Sequence, residues 1–347
     1  MTFYAYSAIS EARYQERWSL DYEDFRPGQY FSHRPGVTLS QQDNVDESLD
    51  TMNAAMLHYD SHYASKTTWK RPLMVSTITL QRAIGMGSKT FGRRRAILRF
   101  DKIALSKPVF GGDTLYSESE IISCDLGSDP EVGNVAICTR AINAEGIEVA
   151  RFNYISEIWK RNCGPDAEFS PLRDPRFIAW REDRPNSYTE QVGLFFEDFV
   201  VGETFVHSPR RSFYRDESVI HSWRSLELNP AFHDLSWLAM HQSGRMRIPE
   251  TFVISAATTP TTRTFGRVVA NLGWTDIELK NPVYENDTLE SESTIIEKRD
   301  SHSRPNEGIL TVDTRAYNQD RKLVLSYRRN LLVYRRSADN PYAAAGY

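Results

Sequence analysis

Apolar and polar residues alternate along four runs, Arg95–Leu105, Thr114–Asp125, Val135–Asn143 and Val149–Trp159, all rich in β-branched and aromatic side chains. That spacing predicts half-buried strands. Ahead of them lie a short aromatic strand and two stretches with helical spacing, Asp43–Tyr63 and Pro72–Met86. Pro72 falls near the first turn of the second stretch, where its missing N–H costs no hydrogen bond. One apolar helix followed by antiparallel strands is an α+β pattern. A sheet wrapped round Pro72–Met86 would bury the helix and leave its own outer face in water.

The pattern then recurs. Leu105–Ile122 reads LSKPVFGGDTLYSESEII, and 174 residues later Leu279–Ile296 reads LKNPVYENDTLESESTII, identical at eleven of eighteen positions. The same offset lays Glu23-Asp24-Phe25 and Gly28 onto Glu197-Asp198-Phe199 and Gly202, followed by Phe31/Phe205 and His33/His207. A period this long is a duplicated domain and not a solenoid. Residues 1–162 form the first unit and 194–336 the second. Between them, 163–193 carries Pro165, Pro171, Pro175 and Pro185 and reads as an irregular linker. The last stretch, 337–347, reads as a mobile tail. Gly111-Gly112-Asp113 and Glu285-Asn286-Asp287 read as matching turns in which Gly or Asn takes positive φ.

Composition narrows the function. Apolar residues make up 40% and charged residues 25%, with net charge −4, which gives no electrostatic case for nucleic acid or an anionic membrane. Three cysteines, Cys124, Cys138 and Cys163, lack metal-ligand spacing. With no bilayer-length apolar run and no leader pattern, a reduced cytosolic (cytoplasmic) protein is expected.

The block PVFGGDTL, the opening YEDFRPGQYF and the segment NAAMLHYDSHYA followed by Arg71-Pro72-Leu73 resemble a MaoC-like dehydratase of the hotdog fold. NLGWTDIELKNPVYENDTL and SYRRNLLVYRR in the second unit are similar to the double hotdog mesaconyl-CoA hydratase (methylmalyl-CoA dehydratase) group. The resemblance runs from about Asp21 to Arg336. It implies a double hotdog, each unit an antiparallel sheet round a central helix. It also implies a hydro-lyase acting reversibly on an enoyl thioester, such as a branched dicarboxylic one, with CoA thioester as substrate and no metal or redox cofactor. The acyl group would arrive on CoA or an acyl carrier, and the chain would be a monomeric pseudo-dimer or a homo-oligomer.

The family's catalytic pattern is Asp-x-Asn-Pro-x-His. Asn53 and His58 keep its five-residue spacing, with Asn in place of the acid. An amide cannot act as a base but can hold water. On the resemblance His58 moves the proton, since imidazole titrates near neutrality, while Asn53 orients the water. His62 lies one turn beyond, but no third ligand is spaced to complete a metal site. In the second unit Glu227 and Phe232 take those places, and His233 falls one residue late. On a helix that step turns a side chain by about 100°, so the second dyad is expected to be broken. Donors for the enolate oxygen are expected at the start of Pro72–Met86, from Val75 and Ser76. Arg93 and Arg94 are candidates for CoA phosphates, and Arg71 and Arg82 for a substrate carboxylate. Two rivals stand beside the hydratase: a hotdog thioesterase using Asp60, and a non-catalytic acyl-thioester-binding module.

Overall fold

The computed structural model describes residues 1–347 apart from residues 18, 166, 242, 243, 337–339 and 346. Its strands are β1 (Phe3–Tyr4), β2 (Tyr6–Ser10), β3 (Arg13–Glu16), β4 (Tyr30–Thr38), β5 (Arg94–Leu105), β6 (Thr114–Leu126), β7 (Val132–Asn143), β8 (Glu148–Trp159), β9 (Ile178–Arg184), β10 (Ser187–Glu190), β11 (Thr204–Val206), β12 (Arg211–Ser212), β13 (Val268–Leu279), β14 (Thr288–Asp300), β15 (Glu307–Tyr317) and β16 (Leu323–Tyr334). The helices are α1 (Gln41–Asp50), α2 (Ser61–Lys66), α3 (Ser76–Met86), α4 (Ser88–Phe91), α5 (Arg215–Arg224), α6 (Leu235–His241), α7 (Glu250–Thr258) and α8 (Pro341–Ala344).

The strands form two sheets, ordered β1-β9-β10-β4-β6-β7-β8-β5 and β13-β16-β15-β14-β11-β3-β2, with β12 added against β14. Helix α3 lies on β4, β6, β7 and β8, and α7 lies on β14. One serine anchors each helix in the same way. Ser117 donates to the Ala83 carbonyl at 2.8 Å, and Ser291, 174 residues on, donates to Ala257 at 2.8 Å. The matched turns behave as their residues predict: Gly112 and Asn286 have φ of 97° and 70°.

The stretch 163–193 departs from the expected irregular linker. Pro175 opens a short 3₁₀ turn and Pro185 lies in the turn between β9 and β10, so these prolines punctuate a hairpin rather than prevent one. That hairpin belongs to the first sheet, where Tyr188 pairs with Phe31. Conversely, the β2–β3 hairpin at the start of the chain belongs to the second sheet, where Tyr14 pairs with Phe205. Tyr6/Trp180, Tyr14/Tyr188 and Glu16/Glu190 repeat at the 174-residue offset. The duplicated unit therefore begins near Tyr6, and the two copies exchange their first hairpins. Trp180 and Tyr188 join the core of the first unit, while Tyr6 joins that of the second. In the final segment, α8 brings Tyr342 against the Arg267 guanidinium, 4.4 Å from the ring centroid.

Candidate active site

Between α1 and α2 the chain runs as a loop that carries both Asn53 and His58, so neither lies on the long helix the spacing suggested. His58 is half-buried. Its Nδ1 stands 2.7 Å from the Leu73 carbonyl oxygen. A carbonyl only accepts, so Nδ1 carries the hydrogen and Nε2 of the neutral ring keeps a lone pair. This hydrogen bond sets ring orientation and tautomer together, leaving a nitrogen able to take a proton.

Asn44 builds the junction beneath it. This side chain, fully buried on α1, donates Nδ2 to the carbonyls of His58 at 2.7 Å and Leu73 at 3.0 Å. Its Oδ1 accepts the Val75 N–H at 2.8 Å. Gln41, one turn earlier, adds a donor to the His58 carbonyl at 2.8 Å. The histidine loop is thus tied to the chain entering α3. The residue pattern gave no direct sign of Asn44, whose partners lie 14 to 31 positions away.

Helix α3 begins at Ser76 rather than Pro72, with Val75 as an N-cap that offers no side-chain bond. Val75 cannot serve as the expected oxyanion donor, because its N–H already goes to Asn44. Ser76 and Thr77 are the first amides of the helix, at the positive end of its dipole. Asn53 closes its own loop: its Oδ1 accepts the Ala55 N–H at 2.9 Å, which leaves the NH₂ as the part suited to hold water. Among the described residues no hydrogen bond joins Asn53 to His58.

The arginines separate. Arg71 lies on the rim of the His58 site, its guanidinium 3.8 Å from the centroid of Phe110, whose backbone bridges to Leu73. Arg82 points to Asp43 at 3.3 Å, on the outer side of α3. Arg93 is buried, paired with Asp21 at 2.7 Å, and donates to the carbonyls of Lys160, Cys163 and Pro165. Arg93 is thus held by bonds inside the protein. Arg93 and Arg94 both line a cleft of about 930 Å³ between the two units, whose walls include none of His58, Arg71, Val75 or Ser76. Asp60, the carboxylate of the thioesterase alternative, caps α2 by accepting the Tyr63 N–H at 2.9 Å.

The second unit keeps the frame and changes its contents. Ser218 stands where Asn44 does and donates to the Arg247 carbonyl at 2.8 Å. Glu227 accepts the Asn229 N–H at 2.9 Å, as Asn53 accepts that of Ala55. Phe232, fully buried, fills the place of His58. Pro249 replaces Val75, and Glu250 replaces Ser76 at the first position of α7, ion-paired to Arg247. A carboxylate thus occupies the helix end where an oxyanion would need donors. Pro230–Phe232 is a 3₁₀ turn, so the second unit departs from the Asn53–His58 pattern in residue identity and not by the helical rotation expected of His233. His233 Nε2 is buried with no hydrogen-bond partner among the described residues. Arg245 and Arg247, at the places of Arg71 and Leu73, line a cavity of about 710 Å³.

An antiparallel sheet wrapped on a central helix, built twice in one chain, is a double hotdog. The chain belongs to the mesaconyl-CoA hydratase family, whose profile matches residues 173–346. The mesaconyl-CoA hydratase of Cereibacter sphaeroides is 31% identical over 171 residues, an alignment taking in 44% of this chain and 45% of that protein. The match therefore spans less than half the length of that relative. Among solved structures, a MaoC domain protein dehydratase from Chloroflexus aurantiacus is 18% identical, covering 95% of this chain and all of its own, with a TM-score of 0.41. A double hotdog protein from Mycobacterium tuberculosis is 21% identical over 91% of this chain and 99% of its own, with a TM-score of 0.39. No helix among the described residues is long and apolar enough to cross a membrane.

Proposed function

We propose that this chain adds water to, and removes it from, the double bond of an enoyl-CoA thioester, with the chemistry in the first unit. The observation that carries the reading is the His58 ring, locked as the Nδ1–H tautomer by Leu73 beside the uncapped start of α3. In the hydration direction, Nε2 takes a proton from a water held by the Asn53 amide, and the hydroxide adds to the β-carbon. The thioester oxygen gains charge as the enolate forms and is met by the Ser76 and Thr77 amides. The imidazolium returns its proton to the α-carbon, so one water is consumed and no other reactant is needed. A branched dicarboxylic acyl group such as mesaconyl is supported by the family, and Arg71 supplies a cation on the rim for its second carboxylate. Asp60 is occupied as a helix cap, which disfavours the thioesterase.

The test is incubation with a panel of enoyl- and hydroxyacyl-CoA thioesters, read by mass for gain or loss of water and by thiol release. Gain or loss of water without free thiol is expected. His58→Ala should lower the rate by about 10²–10⁴-fold, the usual share of a general acid–base group. Unchanged turnover in a folded His58→Ala protein would remove His58 from the mechanism.

A further inference from the structure

The second unit keeps a pocket at the place of the first unit's candidate site. Its cavity of about 710 Å³ is walled by the chain entering α7 and the chain leaving β13, with His241, Arg245, Arg247, Glu250 and Lys280 among its lining residues. That volume suits a small organic molecule. The frame is shared, because the bridge of Leu73 to Phe110 recurs 174 residues later as Arg247 to Tyr284. The contents differ. Arg247 stands for Leu73 and His241 for Thr67, while Arg245 keeps the arginine of Arg71. Lys280 lies one place ahead of the counterpart of Lys107, and Glu250 is the one acid on the walls. Loss of chemistry alone does not put a guanidinium where the first unit has a leucine.

Arg247 points to the kind of guest. Its guanidinium lies 5.9 Å from the Phe232 ring centroid and donates from Nη2 to Glu250. Its Nε is buried with no hydrogen-bond partner among the described residues. A buried charged donor without an acceptor is costly, and a carboxylate supplies what it lacks in forked geometry. The side chains of Arg245 and Lys280 are more open, at 56% and 46% exposed against 30% for Arg247. Each has a single acid beside it, Asp287 at 3.7 Å and Glu278. Cations thus stand at two depths, and Ile248, Val253 and Val283 add apolar wall. Inorganic phosphate would leave that wall unused, and a monocarboxylate would engage charge at one depth only.

We propose that this cavity binds a short dicarboxylate, with one carboxylate on Arg247, the other on Arg245 and Lys280, and the hydrocarbon stem against the apolar wall. Phe232, at the place of His58, supplies no base, so the guest is held and not converted.

Calorimetric titration of the full chain with methylsuccinate tests this without reference to turnover. A Kd of about 0.1–1 mM is expected, with isobutyrate and inorganic phosphate about tenfold weaker or more. Arg247→Leu, which restores the first unit's residue, should weaken methylsuccinate about tenfold or more. Glu250→Gln removes the competing charge and should tighten it about threefold. Misfolding cannot mimic a gain in affinity. Arg71→Gln should leave the Kd unchanged, since that arginine belongs to the first unit. Absence of binding at about 10 mM, phosphate or isobutyrate binding as tightly as methylsuccinate, an unchanged Kd in Arg247→Leu, no gain in Glu250→Gln, or loss of binding in Arg71→Gln would each overturn the proposal.

Discussion

Asn44 illustrates how one buried amide can fix the geometry of a candidate site without being one of its reactive groups. Its two donors and one acceptor are matched by the carbonyls of His58 and Leu73 and the N–H of Val75. Asn44→Ala would leave the Val75 N–H without its acceptor in the interior, at about 1–3 kcal/mol, while Gln41 and His58 Nδ1 still donate to the His58 and Leu73 carbonyls. It would also remove one of the two donors that hold the Leu73 carbonyl, on which the His58 tautomer depends. We expect a lower thermal midpoint together with a fall in kcat larger than that in KM. Asn44→Ser should recover part of both, since Ser218 performs the shorter version of the task in the second unit; equal loss in both variants would argue that the clip is purely structural. The spacing of Asn53 and His58 was readable because it is local. The role of Asn44 was not, since it depends on where distant backbone arrives, although its coincidence with Ser218 at the 174-residue offset was available as a hint. Arg93 and Arg94 show the same limit: adjacent in sequence, both line a cleft between units, yet Arg93 is held by Asp21 and by backbone carbonyls.

At the scale of elements, the strands following each helix were legible from alternation alone, whereas the exchanged hairpins were not. Proline density hid the β9–β10 hairpin, and the repeat is faint there, with Tyr6 matched only to Trp180 by aromatic character. The exchange has an electrostatic consequence. Glu190, from β10, lies 2.9 Å from His33 Nδ1. Its counterpart Glu16, from β3, instead pairs with Arg263 at 2.8 Å. Arg263 stands where the first unit has Lys89, and the longer, forked guanidinium captures the carboxylate. His207 is left with Thr264 and Ser293 hydroxyls, and burial depresses its pKa to about 3. A histidine depressed in the folded state is protonated first in the unfolded chain. Stability from this group is therefore complete above pH about 6.5 and is lost as pH falls toward 3. Each unit of that window is worth about 1.4 kcal/mol at most. His207→Gln should flatten the fall in unfolding free energy between pH 6.5 and 4, measured by urea titration. A parallel pH profile in the variant would show that other groups carry the acid sensitivity.

Across the whole molecule, the duplication kept two scaffolds and one complete set of candidate catalytic groups. Phe232 and Glu250 fill the places of His58 and Ser76. The second copy is nevertheless not a detachable passenger, because the first sheet needs β9 and β10 from the far side of the chain and the second needs β2 and β3 from its start. Tyr6 lies against Phe177 and Phe205 in the second core, with its hydroxyl 2.9 Å from Thr264. Trp180 lies against Phe3 in the first, its indole N–H donated to Thr90 at 2.9 Å. Opening either sheet therefore strips strands from the chain that completes the other, which couples the two cores into one folding unit. Calorimetry should give a single transition, and Tyr6→Ala and Trp180→Ala should each lower that one midpoint, at about 3–5 kcal/mol for a truncated buried aromatic. Two independent domains would behave otherwise. They would give two transitions, with Tyr6→Ala shifting only the one that belongs to residues 194–336, and that outcome would reduce the exchanged hairpins to an ornament of the sheet edges.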